Sequence, residues 1–200
     1  LEKEASRYVV NAPYDRLYSE NGGVGFNATT SRDMTGYYIQ LPSDKIELWA
    51  RLESERLRNP VFREYYTERA NVMEERLMRT DASGTGLLFE RFMSASFQAN
   101  PYRHPTIGWA SSIPALNMAD VRRFYKTYYI PSRMTVTIVG KQDIEKTYRV
   151  VRKYFSKLPA APAPRINQLK EPPGRGETRF EIFFESSPEL MVGWHKPPFP

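Results

Sequence analysis

The sequence predicts an α+β chain, with a mixed or antiparallel sheet and helices packed on one face of it. Three observations carry this. Strand-like and helix-like segments alternate along the chain. Two neighbouring strand candidates are joined by a link short enough for a hairpin. The pattern is then interrupted by a proline-rich stretch, after which strand character resumes. A doubly wound parallel sheet is not expected, because the hairpin joins two strands without the crossover that a parallel pair needs.

Residues 1–20 are polar with scattered tyrosines and read as helix or irregular chain. Asn21-Gly22-Gly23 is a turn signal. VGFNATTS (24–31) and TGYYIQLP (35–42) are β-branched and aromatic, and the second stops at Pro42. Ser43 or Asp44 can cap a helix over 44–58, which Asn59-Pro60 ends. A second helix is expected over about 61–80, with Phe62, Tyr66, Ala70, Met73 and Leu77 in one narrow stripe as its main core face. A third, about 85–98, aligns Phe89, Phe92, Met93 and Phe97.

Residues 99–117 are rich in proline and turn residues and read as a long ordered loop. Asn117 caps a fourth helix, with Val121, Phe124, Tyr125, Tyr128 and Tyr129 as its apolar stripe, ended by Pro131. RMTVTIVG (133–140) alternates as a strand should. A fifth helix carries Ile144, Tyr148, Val151, Phe155 and Leu158 at helical spacing. Residues 159–177 hold five prolines and two glycines and read as a linker. TRFEIFFE (178–185) and ELMVGWHK (189–196) read as the opening strands of another domain.

Composition narrows the chemistry. The chain has 200 residues, 40% hydrophobic, 26% charged and 14% aromatic, which is ordinary for a globular protein. It has no cysteine, so disulfides, zinc–thiolate sites, iron–sulfur clusters and thiol nucleophiles are excluded for these residues. The net charge of +6 comes from interleaved acids and bases without a block of five like charges, so nucleic acid is not expected as a partner. No apolar run is long enough for a membrane span. The polar start without Met and the HKPPFP ending read as a fragment cut at both ends, with no signal peptide in it.

Glu68 and Glu75 lie seven residues apart, so on a helix they stand nearly in line, two turns apart. They fall away from the Phe62–Leu77 stripe, and by spacing alone they are best read as two solvated glutamates. Val61, Tyr65 and Val72 fall on nearly the same side, which suggests a partly covered site. There one carboxylate can ligate a metal while the other orients a ligand from behind. His104 and His195, 91 residues apart, do not make a zinc site of their own and read as structural. No G-x-S-x-G occurs, and Gly22, Gly23 and Gly25 are not followed by a helix pattern. The small, polar 24–31 strand reads either as an edge that accepts an extended peptide or as an ordinary edge protected by its own polarity.

GGVGFNATTSRDMTGYYIQLP, LWARLESERLRNPVF, ERANVMEER and YRHPTIGWASSIPALNMADVRRFYKTYYIPSRMTVTIVG, followed by a helix ending KYFSKLP, resemble the insulinase/pitrilysin family of zinc peptidases, the inverted zincins, in order and spacing. The likeness is to bacterial members with two homologous halves, close over about 20–160 and looser over 177–200. It implies a metallopeptidase half-domain: 1–158 as the later part of the N-terminal peptidase half, 159–177 as linker, and 178–200 as the truncated start of the second half. It also implies peptide-bond hydrolysis by zinc-activated water. In that family two His of H-x-x-E-H and a Glu from a later helix hold zinc, and the Glu of that motif is the general base. Matched residue by residue, Glu75 becomes the third zinc ligand, Glu68 the acid behind a ligand His, and Asn27 and Ala28 the edge that pairs with substrate.

H-x-x-E-H is absent from the sequence. The chain alone is therefore expected neither to hold zinc tightly nor to cleave peptides, with no catalytic residue of its own. Expected partners are a peptide or protein substrate and a second homologous half or partner subunit. The alternative is a non-catalytic scaffold or substrate-binding subunit of the same fold. The compartment is open, with periplasmic or secreted placement following from the likeness to bacterial members.

Overall fold

The computed structural model describes residues 13–165, 169–174 and 176–197. The chain divides into two units: Leu1–Phe62 with Arg122–Pro164, and Arg63–Val121 with Arg165–Pro200. The α+β character is observed, as helices plus a small antiparallel sheet of two strands.

In the first unit, helix α1 (Pro13–Ser19) leads into strands β1 (Val24–Thr30) and β2 (Thr35–Gln40). Asn27 faces Tyr38 and Ala28 faces Tyr37, and the register shifts between Val24 and Asn27. Gly25 sits at that irregularity with φ +67°, a left-handed conformation that glycine adopts without steric cost. After a tight turn, Ser43–Lys45, comes α2 (Ile46–Arg58). Tyr18 and Ala50 are fully buried. The Tyr18 hydroxyl donates to Glu53 Oε1 at 2.7 Å, and Glu53 also pairs with Arg56, whose guanidinium lies 4.3 Å from the Tyr37 ring centre.

Helix α6 (Met118–Tyr128) sends the Tyr125 hydroxyl to the Leu57 carbonyl at 2.9 Å. Tyr125 stacks on Tyr129, and the Tyr129 and Tyr37 hydroxyls share a 2.7 Å hydrogen bond. Burial pushes the Tyr125 phenol up to about 12 and raises that of Tyr37. Helix α7 (Ile144–Phe155), capped by Asp143, closes on α2 through Trp49 stacked on Phe155 and through Glu47, which accepts from Lys153 and Tyr154.

In the second unit, α3 (Tyr65–Arg76) runs into one π turn, Leu77–Asp81, and then α4 (Gly84–Ser96). Ser83 caps α4, its side chain accepting from the Gly86 amide. A Cβ on Gly86 would stand 2.1 Å from the Arg79 carbonyl oxygen, so only glycine lets α4 pass this close to the π turn. A loop with a short helix α5 (Ser112–Ala115) leads to Asn117, whose side chain accepts from Ala119 and Asp120 and caps α6 as expected.

Several expectations fail, among them the Ser43 or Asp44 cap: Ser43–Lys45 is a tight turn, and α2 starts at Ile46 with no side-chain cap. Residues 134–139, 178–185 and 189–196 form no ladder among the described residues. Val139, Phe183, Leu190 and Trp194 are more than four-fifths exposed. Alternation says which side chains share a face, but a strand exists only where another strand takes its hydrogen bonds. The stripe Phe62, Tyr66, Ala70, Met73, Leu77 is not the packed face of α3 either, since Tyr66, Met73 and Leu77 are exposed. The packed side carries Tyr65, Arg69, Val72, Arg76 and then Thr80. Two arginines sit in it, and hydropathy alone reads them as outward.

Candidate functional site

Helix α3 brings Glu68 and Glu75 onto one side of a single element. Glu68 lies in the first turn, where the helix dipole favours an acid, and it is exposed. Glu75 lies near the last turn and is half-buried. Its Oε1 is 2.7 Å from Arg79 Nη1, one turn on, and the Arg79 side chain is 75% exposed. Such an exposed pair stabilises by about 0–1 kcal/mol, so Glu75 can exchange this partner for another cation at little cost. Of the covering residues expected beside the carboxylates, Tyr65 and Val72 are half-buried and Val61 is exposed.

The position of Glu75 is set by the residue after it. Arg76 is buried, donating through Nη1 to Glu90 Oε2 at 2.6 Å and to the Gly108 carbonyl at 2.7 Å. Nη2 donates to Asp81 Oδ1 at 2.9 Å and Glu90 Oε1 at 3.1 Å. One guanidinium thereby ties the end of α3, the π turn, α4 and the 105–108 turn together. Its partners raise the Arg76 pKa further, the Glu90 hydrogen bond first. Gly108, at φ +93°, presents its carbonyl from a left-handed backbone. Arg69 does a similar task one half-helix earlier, donating to the Pro114 and Leu116 carbonyls. The π turn that begins at Leu77, two residues after Glu75, is a feature frequent at functional sites.

Asn27 and Ala28 lie on β1 in the first unit, both exposed. The Ala28 amide donates to Asn27 Oδ1 at 2.8 Å. His104 is exposed, its Nδ1 accepting from Trp109 Nε1 at 3.1 Å. His195 is exposed, stacked on Phe97, with Nε2 2.6 Å from the Ser96 carbonyl oxygen.

Among the described residues no group of three His, Asp or Glu can hold a metal ion. Glu75 fits one ligand position by chemistry and accessibility, and the described residues around it do not supply the remaining ligands of a tetrahedral zinc site. No described helix is long and apolar enough to cross a membrane. The sequence reading missed Arg76, Glu90 and Asp81. Its only available signal was an arginine one residue after Glu75, about 100° round α3 from it.

Comparison with known proteins gives the following. A family model described as Insulinase (Peptidase family M16) matches residues 13–109, and one described as Peptidase M16 inactive domain matches 115–200. The chain is 30% identical over 178 residues to a protein named zinc protease PqqE of Helicobacter pylori, covering 86% of this chain and 40% of that protein. It is 25% identical over 161 residues to a probable mitochondrial-processing peptidase subunit beta of Arabidopsis thaliana, covering 80% of this chain and 30% of that protein. It is similar to the crystal structure of a protease from Helicobacter pylori, with a TM-score of 0.73, 31% identity, and coverage of 80% of this chain and 39% of that one. The chain thus spans two fifths or less of these relatives.

Proposed function

From its membership of the insulinase peptidase family M16, to which this chain belongs, we propose that it is part of a zinc-dependent endopeptidase, with Glu75 as a metal ligand. The observation that carries this is Glu75 itself. It is a half-buried carboxylate on a helix end locked by Arg76, with no partner but an exposed arginine among the described residues. The naming of relatives as zinc proteases supports the same reading. When bound, zinc supplies Lewis-acid chemistry for hydrolysis of the peptide bond. Glu68, seven residues earlier and free of ion pairs among the described residues, is available to orient a neighbouring ligand by a hydrogen bond.

Substrate is taken as an extended peptide along β1. There the Ala28 amide exchanges its bond to the Asn27 side chain for a substrate carbonyl, and the strand gains a partner. Domains follow as proposed from sequence: 1–158 in one peptidase half, 159–177 as linker and 178–200 opening a second half. An exported workplace fits this reading, since one fold neighbour, at 22% identity, is described as a periplasmic protease of Escherichia coli.

A second reading has one observation in its favour. The model matching 115–200 is described as an inactive domain, which suits a scaffold or substrate-binding part of the same fold. The two are separated by assaying the complete protein against a quenched fluorescent peptide library. The enzyme reading expects turnover that Glu75→Gln abolishes. Turnover equal in wild type and variant contradicts the role of Glu75, and absence of turnover in both favours the scaffold.

A further inference from the structure

Helix α4 ends at Ser96, and Phe97 after it is extended. The next three backbone amides all point at one group. Gln98 N–H donates to Glu171 Oε1 at 2.5 Å, and Ala99 and Asn100 N–H donate to Glu171 Oε2 at 3.0 and 2.7 Å. Successive amides converging on both oxygens of a carboxylate make an anion-binding nest. The ligand comes from some seventy residues further along the chain, in the proline-rich stretch. Farther on, His195 is fastened to the same turn, stacked on Phe97 and bonded to the Ser96 carbonyl. Along α4, Thr85 donates to Glu189 at 2.6 Å and Gly193 lies against the Phe92 ring.

We propose that the 98–100 turn is a carboxylate receptor, and that Glu171 is its built-in ligand, strapping the proline-rich segment to α4 at neutral pH and releasing it in acid. The three amides have no carbonyl of the preceding helix to reach, so a carboxylate satisfies them far better than water does. They hold the Glu171 carboxyl below its ordinary range, and the nearby His195 acts in the same direction. The other charge on the turn is Arg103, whose guanidinium donates to the Gln98 carbonyl at 2.9 Å. A lowered carboxyl value means the strap is fully fastened above the ordinary glutamate range and opens as pH falls through the lowered value. A linker between lobes fastened this way has a defined point of departure that a free polar loop lacks.

Amide exchange of residues 98–100 in the complete protein tests this. Glu171→Ala is expected to speed their exchange by roughly tenfold or more, with α3 unchanged as the folding control. Glu171→Gln, which keeps an acceptor but not the charge, falls between. Added sodium acetate is expected to slow exchange in Glu171→Ala, while sodium chloride at equal ionic strength does not. Unchanged exchange at 98–100 in Glu171→Ala, or acetate no better than chloride, overturns the proposal. If Glu171→Ala is insoluble, the wild type answers instead. Protection factors at 98–100 should fall below about pH 4, and protection that persists there overturns it.

Discussion

Replacing Arg76 by alanine removes the guanidinium that joins four segments of the second unit. The Glu90 side chain it leaves behind is only 10% exposed, so a carboxylate is stranded without its bidentate partner. Breaking a buried pair from one side costs about 3–5 kcal/mol. Asp81 is 36% exposed and recovers most of its loss from water. Arg76 Nε makes no hydrogen bond among the described residues, so nothing is lost there. The lower end of the range is therefore expected, about 3 kcal/mol, or about two orders of magnitude in local opening. Amide exchange at α4 and the 105–108 turn reads this directly, without assuming that the whole protein unfolds in one step. Arg76→Met with Glu90→Leu should recover most of the loss, because an apolar pair leaves no charge buried. Exchange within threefold of wild type in Arg76→Ala, or a double variant as open as the single one, would refute the reasoning.

Three further outcomes follow from the same geometry. Gly86→Ala should open the α4–π turn contact by about 1–3 kcal/mol, because the colliding atom is the Arg79 backbone oxygen and cannot swing aside; thermal unfolding unchanged from wild type contradicts it. On the proposed β1 substrate site, Ala28→Pro deletes the edge amide that would meet the peptide, so KM for peptides in the complete protein should rise about threefold to tenfold with kcat changing less; an unaltered KM removes β1 from the proposed substrate path. Tyr125 is held neutral by burial, with its value raised from 10.0 to about 12. Its contribution to stability is therefore constant below pH 10 and lost as pH rises toward 12, which tyrosinate absorbance and unfolding should report together.

Helix caps and breaks were legible because they are local. Asn117, Pro60 and Pro131 act within one turn of their own position. The hairpin was legible for the same reason. The packed side of α3 was not, because Arg69 is half-buried and Arg76 buried only by virtue of carbonyls and carboxylates 5 to 47 residues away. The strand candidates at 133–140, 178–185 and 189–196 carry the right alternation, yet no partner strand lies beside them among the described residues. In the site, the in-line placement of Glu68 and Glu75 followed from spacing, whereas their unequal burial depended on tertiary packing that spacing does not encode.

The central claim is that Glu75 is a zinc ligand. Zinc content per molecule of the complete protein, measured by elemental analysis after dialysis against a zinc buffer of fixed free concentration, tests it most directly. The account predicts about one zinc per wild-type molecule and a large loss in Glu75→Gln, with Glu68→Gln weakened about 10–100-fold in affinity. Full zinc occupancy in Glu75→Gln would contradict it.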